Sequence, residues 1–363
     1  MTQTTKVLPS RDDFIRLPAV EMATLVRQNI SVNMLLRDRL KVTLMLGWPR
    51  TGINAVICYM LGVSFAGHEK TPPWVIALGA VLYFVWASIL ANLENHYADL
   101  QEDCHNVPGR VYLVAQVGYR NLFWYIVFLH VLLLLAAIPL GFPFFLFMLL
   151  ALLVPHQYSF RPLRAKARPM WCPIIMAQLV VFPLVAGIII GQPNVLNLVA
   201  TSLPHLDFAW KRALGMIVFL NLWFFAKGMF KNVPDFAGDK TAGLYTSATI
   251  CGSRRNAAIV TTIAEIFAYG SLAALVILGL EERHLLLALL WTVPILWNCL
   301  RLIQTEDLAR NNHCCEFDSL SGAGFMASVL LLIFPTVANV VTVAVVIVIV
   351  FGSEYWRLDA RGR

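Results

Sequence analysis

Nine stretches of roughly twenty apolar residues recur along the chain, at about 43–66, 74–95, 121–140, 142–158, 173–191, 210–230, 257–280, 285–303 and 325–352. About twenty residues of helix cross the hydrocarbon core of a bilayer, so each stretch is long enough to span one. The composition agrees. Hydrophobic residues make up 59% and charged residues 13% of the 363, with a mean hydropathy of +0.70. Soluble domains carry about 25% charged residues, and a chain this apolar needs lipid as its solvent. The expected fold is all-α, a polytopic membrane bundle of about nine transmembrane helices. Gly141-Phe142-Pro143 alone separates the third and fourth spans, which reads as a tight hairpin, and Pro155 marks the end region of the short fourth span.

The organisation is simple. Residues 1–42 form an amphipathic N-terminal segment expected at the cytoplasmic interface, 43–352 a single transmembrane domain, and 353–363 a short tail. With the N-terminus inside, the inner segments hold 20 Lys and Arg and the outer ones 7. That asymmetry predicts a cytoplasmic N-terminus, and nine spans then place the C-terminus outside. The net charge of +7 is explained by this anchoring. No basic run interleaved with aromatics appears, so a nucleic-acid partner is not expected. The seven cysteines show no CxxC pair, and the Cys314-Cys315 cluster beside His313 reads as structural. The polar N-terminus lacks the apolar core of a signal peptide.

Two acidic motifs stand out. Asn95, Asp99 and Asp103 follow the second span at intervals of four, which on a helix places them on one face, drifting about 40° per step. Asp235 and Asp239 follow the sixth span at the same interval. Both motifs fall on the predicted inner side. Stacked carboxylates repel one another unless a cation lies between them, and magnesium takes carboxylate oxygens together with substrate phosphates. A DxxxD pair is usually a solvated helix face. Two copies at matching depth, in a chain with only 21 acidic residues, favour a metal and diphosphate site.

Basic residues complete the pattern. Arg161, Arg164, Lys166 and Arg168 follow Tyr158 between the fourth and fifth spans, Arg110 follows the first motif, and Lys231 and Lys240 flank the second. They are the donors a diphosphate leaving group would use, although positive-inside anchoring would also explain them. Within the spans, Gln178, Glu265, Asn298 and Asn339 are polar. Glu265 and Gln178 are candidates for an acceptor side, against the plainer reading of helix–helix hydrogen bonds. His130 and His156 read as structural.

These residues resemble the UbiA superfamily of intramembrane prenyltransferases. Asn95, Asp99 and Asp103 match its first aspartate motif, and Lys231, Asp235 and Asp239 match its second. The segment from Tyr158-Ser159 to Lys166 is similar to the YSxxPL(K/R)xK loop of the chlorophyll synthase and homogentisate prenyltransferase branch. Trp48-Pro49-Arg50 is similar to the family's RP signature. Two positions depart from the pattern: His96 stands where Asp often follows the Asn, and Asn232 stands for the first Asp of the second motif.

The resemblance implies two Mg2+ ions held by Asn95, Asp99, Asp103, Asp235 and Asp239. They would bind the diphosphate of an allylic prenyl donor, with Arg110, Tyr158, Arg164, Lys166, Lys231 and Lys240 around the leaving group. The prenyl cation would then pass to an electron-rich, aromatic acceptor. The alternative is a terpene cyclase of the same superfamily, in which the donor's own double bonds capture the cation. A transporter fits less well, because transporter sites lie near the bilayer midplane and both motifs here lie at one face.

Overall fold

A computed structural model describes residues 8–29, 34–67, 71–192 and 208–358. Among them every regular element is helical. The N-terminal segment folds as α1 (Arg11–Phe14), α2 (Ala19–Arg27) and α3 (Leu36–Gly47). The bundle follows as α4 (Ile53–Ala66), α5 (Pro73–Ala98), α6 (Leu100–Asn106), α7 (Pro108–Val117), α8 (Tyr119–Leu140) and α9 (Phe142–Ser159). It continues with α10 (Trp171–Gly191), α11 (Phe208–Asn232), α12 (Phe236–Thr241), α13 (Arg254–Ile277), α14 (Arg283–Gln304), α15 (Leu308–Ile333) and α16 (Val337–Tyr355).

Nine of these helices are long and apolar enough to cross a membrane among the described residues, α5, α8 to α11 and α13 to α16. They are not the nine read from the sequence. The first expected span, 43–66, is broken, because the residue before a proline is pushed out of the helical region. Trp48, before Pro49, adopts a left-handed backbone, α3 stops at Gly47, and a 3₁₀ turn at Pro49–Gly52 leads into α4. At 14 residues α4 is short, yet every residue from Ile53 to Val63 is buried.

The last expected span, 325–352, is two helices meeting at 334–336. The first half of α15 looks like a loop in sequence because it carries Asn311, Asn312 and Asp318. Helix α16 runs antiparallel to α4, with the Asn339 amide donating to Ser64 Oγ (3.0 Å) at one end and an Arg50–Glu354 ion pair at the other. Among the described residues, ten helices therefore run through the bundle once α4 is counted. The end of α16 lies at the same end of the bundle as Trp48–Arg50, and not at the opposite end as nine spans implied.

The centre of the bundle is the α4–α10 seam. A Cβ at Gly62 would overlap the Leu184 carbonyl, and one at Gly187 would overlap the Tyr59 carbonyl. The two backbones touch only because these residues lack side chains, the usual device where helices pack in lipid. Pro155 and Pro183 lie inside α9 and α10 without ending them, so α9 runs on to Ser159 and carries Tyr158 on its last turn.

Candidate active site

The first motif is aimed by an irregularity in α5. Residues Trp86–Leu90 form a π turn, which frees carbonyls that side chains then use. Ser88 Oγ donates to Phe84 O (2.5 Å), and the Asn92 amide reaches Ser88 O (2.7 Å), Gly47 O (3.1 Å) and Thr51 Oγ1 (2.9 Å). This fixes the last turns of α5 against the α3–α4 junction. The helix then breaks at Asp99, a turn residue between α5 and α6, but the i to i+4 bonds persist. Asp99 N donates to Asn95 O (2.9 Å) and Asp103 N to Asp99 O (2.8 Å). The expected common face survives the break, and Asn95, Asp99 and Asp103 all line one cavity of about 250 Å³.

Asp235 and Asp239 line the same cavity from the turn after α11 and from α12. Gly238 lets them approach. A Cβ there would overlap the Asn106 side chain, so α12 sits directly on the end of α6. The electrostatics show the convergence. Burial pushes the Asp103 carboxyl up, Arg110 opposes this, and Asp235 from the other motif pushes it up further. Burial and then Asp235 raise Asp239 to about 7. Among the described residues no three His, Cys, Asp or Glu side chains lie close enough to hold a metal by themselves.

Basic groups face these carboxylates. Arg110 Nη1 donates to both oxygens of Asp103 (3.1 and 3.2 Å), and Lys166 pairs with Asp99. Lys231 donates to Tyr158 Oη (3.2 Å). Burial, followed by the charge of Lys231, lowers Lys166 to about 7. Arg110, Tyr158, Lys166 and Lys231 all line the cavity. Two expected residues do not: Arg164 pairs with Glu102, and exposed Lys240 lies over the Phe236 ring, 5.7 Å from its centre. His96 and Asn232 line the cavity but are tied to the scaffold. His96 Nε2 bonds Leu46 O (2.9 Å), and Asn232 Nδ2 donates to Ser247 Oγ (2.8 Å).

The two acceptor-side candidates are placed differently from expectation. Gln178 donates to Asn221 Oδ1 (3.1 Å) between α10 and α11, away from the cavity lining. Glu265 is fully buried and accepts from Lys227 Nζ (3.0 Å), which also donates to Asp318 Oδ1 (2.7 Å). Lys227 and Asp318 line the cavity; Glu265 stands behind them. Sequence reasoning passed over both. The signal was available in Lys227, a lone cation near the end of an apolar run. Asp318 is hidden because its half of α15 reads as a loop.

A family model for the UbiA prenyltransferase family matches residues 55–328. The chain belongs to the UbiA prenyltransferase family. No curated protein matches it. Among solved structures, a UbiA homolog from Archaeoglobus fulgidus bound to DMAPP and Mg2+ aligns with TM-score 0.56 at 18% identity, covering 78% of this chain and 99% of that one. The same homolog bound to GPP and Mg2+ gives 0.51 at 18%, over 80% and 99%. A structure described for digeranylgeranylglyceryl phosphate synthase in membranes gives 0.54 at 15%, over 82% and 97%. At these identities the likeness is one of fold, a UbiA-type helical membrane bundle.

Proposed function

We propose that this UbiA-family chain ionises an allylic prenyl diphosphate with Mg2+ and transfers the prenyl group to an aromatic acceptor. The observation that carries this reading is the convergence of both aspartate motifs, Arg110, Lys166 and Lys231 on one cavity. The residues fit a divalent cation. Asn95 Oδ1 is a buried acceptor without a hydrogen-bond partner, and Asp103 and Asp239 are both pushed toward neutrality when no cation faces them. Asn95, Asp99, Asp103, Asp235 and Asp239 would hold the metal, which when bound neutralises charge developing on the diphosphate. Arg110, Lys166 and Lys231 bind the leaving group, and Tyr158 orients Lys231. Trp48, Trp223 and Phe224 line the apolar part of the cavity, where they exclude water from a prenyl cation.

Incubating the protein with geranyl, farnesyl and geranylgeranyl diphosphates, with and without an added phenol, tests the reading. A prenylated phenol is the expected product; a cyclic terpene formed without acceptor would make the chain a cyclase instead. We also propose that the motif-bearing end is cytoplasmic. Placing Arg357, at the end of α16, and the Arg361 and Arg363 that follow it on that side leaves Lys70, Lys211, Arg212 and Arg283 as the outer basic residues, which sharpens the asymmetry. Reporters fused after Arg363 and within residues 242–253 should read the same side. Opposite readings would restore an odd number of crossings.

A further inference from the structure

Three charged side chains meet inside the bundle beside the cavity, and the aspartate motifs do not use them. Lys227 of α11 stands between Glu265 of α13 and Asp318 of α15, at 3.0 and 2.7 Å, with side-chain exposures of 8%, 0% and 5%. Charges this deeply buried persist only when paired. One ammonium bridges the two carboxyl groups, so the three side chains act as a unit. Glu265 is sealed behind Lys227, so Asp318 is the carboxylate on the cavity side. Its aromatic neighbours are fixed. Trp223 Nε1 donates to Tyr269 Oη (3.1 Å), and the Lys227 ammonium lies 5.9 Å from the Trp223 ring centre and 5.4 Å from that of Tyr269. Gly322, one turn beyond Asp318, keeps this wall thin, since a Cβ there would lie 3.3 Å from Trp223 Cζ2.

We propose that this α11–α15 wall is the acceptor site, and that its ligand is an uncharged phenol. The inference rests on the prenyl-transfer reading above and adds the class of acceptor. Asp318 accepts the hydrogen bond from the phenolic hydroxyl, and the ring lies against Trp223. Lys227 is a positioning residue that holds Asp318, and Glu265 holds Lys227. Asp318 holds Lys227 through Oδ1 and offers its other oxygen to a hydroxyl donor, and its oxygens repel a ring bearing a carboxylate. Glu265 thus acts on the acceptor through two other side chains and does not touch it.

Binding to the purified, detergent-solubilised full chain tests this without turnover. The probes are hydroquinone, its dimethyl ether and 4-hydroxybenzoate, each titrated by calorimetry. Hydroquinone should bind at least about tenfold more tightly than either of the others, the amount expected for one hydrogen bond to a charged group. Asp318→Asn should erase the discrimination against 4-hydroxybenzoate and weaken hydroquinone about tenfold. Glu265→Gln should weaken it a fewfold by loosening Lys227 and, through it, Asp318. Titrating geranyl diphosphate with Mg2+ into the same samples separates the two readings. Its affinity should move much less in Asp318→Asn than that of hydroquinone. Failure of geranyl diphosphate to bind wild type would sink the prenyl-diphosphate reading, while the phenol titrations would still decide this one. Equal affinity for hydroquinone and its dimethyl ether, no binding of hydroquinone, or an Asp318→Asn variant that keeps wild-type discrimination would each overturn the proposal.

Discussion

Two of the contacts that glycine allows between helices, the α4–α10 seam and the α6–α12 contact, differ in what surrounds them. In the α4–α10 seam, Gly62 and Gly187 each face a backbone carbonyl of the other helix, within a core of fully buried residues. In the α6–α12 contact, Gly238 faces only the Asn106 side chain, and the helices are 7 and 6 residues long. Such short helices do not hold together alone, since helix nucleation is costly. The seam is scaffold, with no freedom to yield. The α6–α12 contact holds the aspartates beside one another and can give way without unfolding the bundle.

The harshest break is Gly187→Leu, which drives a side chain into the Tyr59 carbonyl. It should destabilise the fold by about 3 kcal/mol or more, the upper range for overpacking, and lower the yield of monodisperse protein on gel filtration. Normal yield would mean that the seam can open. Next, Asp99→Ala or Asp235→Ala should reduce prenyl transfer on the order of a thousandfold while leaving that yield intact, and chelating magnesium should do the same. Full activity in excess chelator would end the metal reading. Gly238→Ala should be milder, about a hundredfold in turnover from displacement of the second motif, with normal folding. Adding Asn106→Ala should restore part of the loss if the overlap is the cause.

The smallest effect is on pH. Asp239 is raised to about 7, so below that pH it must release a proton to ligate a metal. The apparent Mg2+ affinity of the substrate-free protein should fall toward tenfold per unit as pH drops below about 7, measurable by calorimetry. Lys166, lowered to about 7, has the opposite sign. It loses its charge as pH rises, so diphosphate affinity should weaken above about 7. A flat profile between pH 6 and 8 would mean that neither group faces its ligand.

Length and apolarity make the membrane class legible in the sequence, and the i, i+4 spacing makes the two aspartate motifs legible. The face defined by Asn95, Asp99 and Asp103 holds even though the helix breaks at Asp99, because the backbone bonds across the break are kept. Hydropathy misreads helices whose polar residues point inward. Asp318 and its neighbours make half of α15 look like a loop, and one crossing is then missed between Arg50 and Glu354. Arg164 and Lys240 have the right composition and the wrong direction. Spacing along the chain says nothing about which of several loop cations turns inward.

The clamp between α16 and α4 also orders the making of the protein. Arg50 is buried and is synthesised 304 residues before Glu354, its partner. Until α16 is in place, the guanidinium at the head of α4 lacks this partner. A chain ending at residue 336 would carry both complete aspartate motifs and yet lack the counter-charge that seats the first crossing. Quality control that senses unpaired charge within lipid would retain that truncated chain, and a pulse-chase comparison with the full-length protein should show its faster degradation.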